Sequence, residues 1–269
     1  MKYSLLILCS FVIAAYARDV IVKAPSGNWR GTSETWNGKE LHSFKGIRFA
    51  RSPVGDLRFS KPLPYPEFHE RVEDAKNYGP WCVHPGDLIK LTSEDCLQLN
   101  IWVPQANKGK LPVMFWIHGG GFTAGTASGD MYSGAYLAAL GNVIVININY
   151  RLGVFGFTYG GTKDEPGNLG LHDQVLGLQW VNDYIEAFGG DTHKITIFGE
   201  SAGSWSVSAL VVTPLTKGLY QRAIAESGSL YVQNFAKPKE EMEKSTLSRA
   251  RDLKCADSND KKLNNKVLE

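Results

Sequence analysis

The chain has 269 residues, enough for one large domain, with 43% hydrophobic and 21% charged residues, an ordinary globular balance. A formal net charge of +2 excludes the strong basic or acidic bias of a nucleic-acid or membrane-surface binder. Its 7 tryptophans, 11 tyrosines and 12 phenylalanines suit a deep core or an aromatic-lined pocket, with the core as the expected place for most of them.

The chain opens on MKYSLLILCSFVIAAYARDV. Lys2 precedes a mostly apolar run from Leu5 to Ala15, too short to span a bilayer comfortably, and Ala15-Tyr16-Ala17 fits a small-x-small cleavage site. Residues 1–17 therefore read as a signal peptide, against the alternatives of an uncleaved anchor or a buried strand, and the mature protein is expected to be secreted or lumenal. No later stretch is long and apolar enough to span a membrane. Cys9 leaves with the leader. In an oxidising compartment Cys82 and Cys96 are natural partners across a short loop, whose closure is worth roughly 3 kcal/mol. Cys255 then has no partner. No Asn-x-Ser/Thr sequon occurs, so N-glycosylation is not expected.

GNWRGTSETWNGKELHSFKGIRFA reads as short strands and turns, and RSPVGDLRFSKPLPYPEF as an ordered surface loop. From about residue 98 the rhythm changes. QLNIWV, PVMFWIH, NVIVINI, KITIF and RAIAES are short apolar runs, several rich in Val and Ile. A helix is expected over 168–188, where Leu171, Val175, Leu178, Val181, Ile185 and Phe188 recur at spacings of three and four. Strands alternating with helices predict an α/β chain with a mainly parallel central sheet flanked by helices, and a site beyond the carboxyl ends of its strands.

Two motifs lie at such ends. Gly199-Glu200-Ser201-Ala202-Gly203 follows KITIF and opens SAGSWSVSALVV, which can be helical. Strand, sharp turn, helix is the setting in which G-x-S-x-G presents a nucleophile, here Ser201, at the positive end of a helix dipole. FWIHGGGFTAG also follows a strand. Its glycine run can leave backbone N–H groups of Gly120 and Gly121 free and, with the N–H of Ala202, hold an oxyanion. The alternative is a phosphate-binding or plain tight loop, but no Lys-Ser/Thr and no dinucleotide fingerprint follows. No metal or cofactor is expected.

Together, SEDCLQLNIWVP, PVMFWIHGGGF, NYRLGVFGF, GNLGLHDQVLGLQWVNDYIEAFGGD, ITIFGESAG and AIAESGS resemble the type-B carboxylesterases, the family that includes the cholinesterases. The resemblance runs from about residue 20 to about 255. It implies an α/β-hydrolase fold, hydrolysis of small carboxylic esters through an acyl-enzyme on Ser201, and Gly120, Gly121 and Ala202 as oxyanion donors. Cys82–Cys96 matches a disulfide of that family. Two ion pairs are implied, Arg58 with Glu94 and Arg151 with Asp173, which without the resemblance would read only as surface pairs of little worth. The Cys82–Cys96 loop is shorter than in cholinesterases and lacks the tryptophan they set against a quaternary ammonium, a role that does not pass to Trp81. A general carboxylesterase is favoured over a cholinesterase.

The base is the gap. None of His42, His69, His84, His118, His172 and His193 suits the triad; His118 reads as a shaper of the glycine loop, the others as structural or solvated. In this fold the acid and the histidine follow the serine, yet no histidine follows Ser201. The missing histidine, the unpaired Cys255 and the polar tail after KPKEEMEKSTLSRARDLK lead to the expectation of an amino-terminal portion, 18–269, of a longer domain. The competing readings are a non-catalytic binding or adhesion protein of the same family and an inactive short isoform.

Overall fold

The computed structural model describes residues 18–86, 89–105, 109–162, 165–231, 236–257 and 260; the leader expected over 1–17 lies outside them. The strands are β1 (Arg18–Ala24), β2 (Gly27–Trp36), β3 (Lys39–Arg48), β4 (Val72–Asp74), β5 (Trp81–Cys82), β6 (Thr92–Ser93), β7 (Gln98–Pro104), β8 (Leu111–Ile117), β9 (Ile144–Ile148), β10 (Gly190–Glu200) and β11 (Arg222–Glu226). The helices are α1 (Ala135–Gly141), α2 (Gly153–Phe157), α3 (Leu169–Tyr184), α4 (Ala202–Val212) and α5 (Lys239–Asp252).

One sheet runs in the order β1-β2-β3-β7-β9-β8-β10-β11, with β4 on β2. It is mixed rather than mainly parallel. β1 to β3, β7 and β9 pair antiparallel, whereas β9, β8, β10 and β11 are parallel. Of the antiparallel part, β1, β2 and β3 are linked by two-residue turns, which need no crossover helix, while β3–β7 and β7–β9 join strands distant in the chain. The parallel part is where helices intervene, and all its carboxyl ends share one rim.

β7 and β9 are buried along their whole length, the condition of a strand covered on both faces. Alternate residues serve the two sides. Ile101, Phe115 and Ile146 join Leu178 and Val181 of α3 and Val207 and Leu210 of α4 in the main core. Trp102 and Val145 point the other way and pack beneath Ala135, Ala138 and Ala139 of α1.

The helix expected over 168–188 forms as α3 and a 3-10 turn, Ile185–Phe188, but its stripe differs. Leu171 and Val175 are half-buried, while Gly170, Asp173, Gln174 and Gly177 face inward. Small residues bring the helix close to the sheet: a Cβ on Gly177 would sit 3.3 Å from Ile148. The polar ones have partners, Asp173 with Arg151 and Gln174 Nε2 with Ser206 Oγ at 3.0 Å.

Glu165, in the loop before α3, is 0% exposed, and neither carboxylate oxygen has a hydrogen-bond partner among the described residues. Burial pushes its pKa up from 4.5 to about 7. The fold therefore prefers the protonated form. That contribution is fully present below pH 4.5 and is lost as pH rises through about 7, a change on the order of 3 kcal/mol. Glu165→Gln is expected to raise Tm by several degrees at pH 8 and to match the wild type at pH 4.5. Thermal melts of both proteins across this range check it, and parallel curves would refute it.

Candidate active site

β10 ends at Glu200 and α4 begins at Ala202, so Ser201 alone makes the turn. Its φ of 55° and ψ of −120° place a side chain where glycine is normally required, at a cost of about 1–3 kcal/mol. The turn is held from both sides. Ser201 N–H donates to the Glu226 carbonyl on β11 at 2.9 Å, and the Ser201 carbonyl accepts from Trp205 N–H at 3.0 Å. The residue is half-buried. Among the described residues its hydroxyl has no hydrogen-bond partner.

The flanking glycines are set by close backbone approach. A Cβ on Gly203 would lie 2.0 Å from the Ile117 carbonyl oxygen, and one on Gly199 would lie 2.7 Å from the same atom. Ile117 ends β8, and the glycine run leaves from it. That run passes directly over the serine: a Cβ on Gly119 would be 3.2 Å from Ser201 Cβ and 3.0 Å from Glu200 Oε2. Gly120 and Gly121 have φ of 102° and 62°, which suits glycine. The loop closes on itself, since Gly120 O accepts from Thr123 N–H at 3.1 Å and Ala124 N–H at 3.0 Å. Among the described residues the N–H groups of Gly120, Gly121 and Ala202 have no backbone or side-chain acceptor. That of Ala202 lies in the first turn of α4, where helix N–H groups are unsatisfied and the dipole is positive.

His118 is buried beside this loop. Its Nδ1 lies 2.9 Å from the Gly119 carbonyl, and its ring stacks on Tyr150 at 4.4 Å. A carbonyl only accepts, so Nδ1 carries the proton and Nε2, buried and unpartnered among the described residues, is the bare nitrogen. Burial lowers the pKa to about 4, and His118 is neutral near pH 7. It braces the loop. No imidazole hydrogen-bonds Ser201 among the described residues. His42 lies near Glu40, His69 is exposed, His84 stacks on Trp81, and His172 is half-buried on α3. His193 lies near the start of β10, roughly 26 Å from Ser201 at strand rise.

Cys82 and Cys96 form a disulfide. Arg58 holds Glu94 in a two-point pair, Nε to Oε2 at 2.6 Å and Nη2 to Oε1 at 2.8 Å. Arg151 and Asp173 are no surface pair. Both are buried, with Nε to Oδ2 at 2.9 Å and Nη2 to Oδ1 at 2.7 Å, a backbone bond from Arg151 N–H to Oδ2, and Nη1 on the Ser60 carbonyl. Disulfide, Arg58–Glu94 and Arg151 close around a cleft of about 10 Å³. Cys255 is an exposed free thiol. Sequence reasoning missed Arg48–Asp95, a second two-point pair beside Glu94, and the buried asparagines Asn100, Asn147 and Asn149. Asn147 and Asn149 stand at alternate positions in NVIVINI and its continuation, and nothing in those runs indicates what their amides bond.

A sequence profile described as the carboxylesterase family matches residues 18–268. The para-nitrobenzyl esterase of Bacillus subtilis (strain 168) is 48% identical over 218 residues, 78% of this chain and 44% of that protein. The cholinesterase of Mus musculus is 40% identical over 276 residues, 96% of this chain and 45% of that protein. A solved thermophilic PNB esterase superposes with a TM-score of 0.79 at 42% identity, over 87% of this chain and 48% of the other. The chain spans about half the length of the relatives it matches.

Because a Cβ at 203 would enter the end of β8, Gly203→Ala is expected to destabilise the fold by about 1–3 kcal/mol. Gly129→Ala, where nothing lies within 4 Å, is expected to change stability by less than about 0.5 kcal/mol. Chemical denaturation of both variants separates the two cases; equal midpoints would refute the steric account.

Proposed function

The chain belongs to the carboxylesterase family, and from that membership we propose that it carries the nucleophile and the oxyanion donors of a secreted serine carboxylesterase. Ser201 Oγ attacks the carbonyl carbon of an ester while a general base takes its proton. The developing oxyanion accepts from the N–H groups of Gly120, Gly121 and Ala202. The alcohol leaves with a proton, and water hydrolyses the acyl-enzyme to the acid and free Ser201. The described residues do not supply the base.

The observation that carries this reading is the strained turn at Ser201, whose hydroxyl has no partner among the described residues, roofed by a glycine loop in which the Gly120 and Gly121 N–H groups have no acceptor among them. The substrate is a small neutral ester of the kind named for the Bacillus para-nitrobenzyl esterase, rather than a choline ester. Trp81 supports that choice: its Nε1 donates to the Ser128 carbonyl at 2.6 Å and its ring stacks on His84, so it is committed to holding structure. Secretion is supported by the leader-like residues 1–17 and by the Cys82–Cys96 disulfide.

The test is hydrolysis of a para-nitrophenyl or para-nitrobenzyl ester by the purified chain beside Ser201→Ala, with covalent labelling by a fluorophosphonate. Because the described residues hold no base for Ser201, little turnover is expected of this chain alone, and that residual turnover, with any covalent labelling, is expected to be lost in Ser201→Ala. Activity unaffected by Ser201→Ala overturns the assignment of Ser201. A wild type that takes up no label at Ser201 favours the family's non-catalytic binding role.

A further inference from the structure

The proposed chemistry leaves three buried asparagines without a role. Asn100 on β7, Asn147 on β9 and Asn149 just beyond it lie in a sheet otherwise filled by Ile, Val and Trp, at 2%, 0% and 1% exposure. Asn100 stands opposite Asn147 in the β7–β9 register. A buried amide is costly unless its donors and acceptors are met, so the destinations of their bonds are informative. They converge on the segment 126–132, which leads from the glycine loop down to α1. Asn100 Nδ2 donates to Ala127 O at 3.0 Å and to Asn147 Oδ1 at 2.7 Å, and Asn147 Nδ2 donates to Tyr132 O at 2.8 Å.

Asn149 is the junction. Its Oδ1 accepts from Ala127 N–H at 2.7 Å and from Thr126 Oγ1 at 3.2 Å. Its Nδ2 donates to Ser128 Oγ at 2.9 Å and to the Pro80 carbonyl at 3.1 Å. All four sites of the side-chain amide are used. One side chain thus ties the returning leg of the glycine loop to the segment that enters the disulfide, a tie reinforced by Trp81 Nε1 on Ser128 O.

The leg is coupled to the amides that matter. Residue 125, next to Thr126, has no room for a Cβ: one would lie 2.6 Å from His118 Nδ1 and 2.7 Å from Gly119 O. Ala124 N–H is bonded to Gly120 O. A shift of 126–128 is therefore passed through Gly125 and Ala124 to Gly119 and Gly120. We propose that Asn149 is a positioning residue that fixes the oxyanion donors Gly120 and Gly121 over Ser201. This deepens the esterase reading and rests on it.

The experiment uses the full chain as Asn149→Leu, with Thr126→Val as a second variant that removes one bond of the same junction from the loop side, and Ile146→Val as a core control on β9. Hydrogen–deuterium exchange is followed by mass spectrometry. Peptides covering 118–128 are expected to exchange about tenfold faster in both junction variants, with peptides of β10 unchanged and the control like wild type. In ester hydrolysis, kcat is expected to fall by about 10–100-fold with KM within about threefold. Unchanged exchange in 118–128, or an acceleration spread equally over β8 and β10, would overturn the proposal, as would an unchanged kcat in an active enzyme. Should Asn149→Leu fail to fold, Thr126→Val decides. Should the wild type turn over too little to measure, kcat decides nothing and the exchange rates decide whether Asn149 holds the loop; should Ser201 also take up no fluorophosphonate, the esterase reading falls separately.

Discussion

The structure depends on how closely the end of β8 runs against the turn at Ser201. The two strands pair in parallel, with Gly199 opposite Ile117, so their exits point the same way and must share one rim. Neither exit leaves room for a Cβ. Position 203 faces the Ile117 carbonyl, position 199 faces both Ile117 and Gly203, and position 119 faces the Glu200 carbonyl. Three glycines, one near the end of β10, one in the first turn of α4 and one in the run after β8, thereby bring the strained serine and the glycine run into contact without any side chain between them. The site is a consequence of backbone packing before it is a matter of functional groups.

Around that contact the interior is more polar than a sheet core usually is. Arg151 and Asp173 are both buried and satisfy each other with three hydrogen bonds. Such a pair adds little net stability over apolar residues of the same size, because both charges are desolvated, but separating the partners leaves a charge stranded at a cost of about 3–5 kcal/mol. Its effect is to penalise any placement of α3 that moves Asp173 from the segment after β9. Arg58–Glu94 and Arg48–Asp95 act similarly and less strongly, being part-buried, on the stretch that leads into Cys96. The rim is therefore located by charges whose mispairing is expensive and by a disulfide that shortens the loop between them.

Much of this was legible in the residues. Short Val- and Ile-rich runs marked the buried strands, and the placement of G-E-S-A-G between strand and helix marked the turn, because strand period and helix period alternate there. The mixed sheet was not legible: antiparallel and parallel strands buried on both faces read alike, and register is set by partners distant in sequence. The inner face of α3 was misjudged for a related reason. Periodicity counts apolar residues, whereas this helix approaches the sheet on glycines and carries Asp173 and Gln174 to buried partners. Asn149 looked like any polar residue near a strand end, because its four partners come from segments around 80 and 126–128.

The serine itself separates what the fold needs from what chemistry needs. Gly199 and Gly203 are required by packing and would be kept by a protein that binds and does not react. Ser201 is different. A residue at φ 55° and ψ −120° is strained unless it is glycine, so folding stability alone favours glycine there. Nearby hydroxyls have structural employment: Ser204 Oγ donates to the Gly228 carbonyl at 2.5 Å, and Ser206 Oγ accepts from Gln174. The Ser201 hydroxyl has no such partner among the described residues. Among those residues it contributes strain and no compensating bond to the ground state, beside the Gly120, Gly121 and Ala202 amides, which also lack an acceptor there. Groups left unsatisfied in the resting fold are the ones available to a transition state, where an attacking oxygen and a developing oxyanion would use both at once.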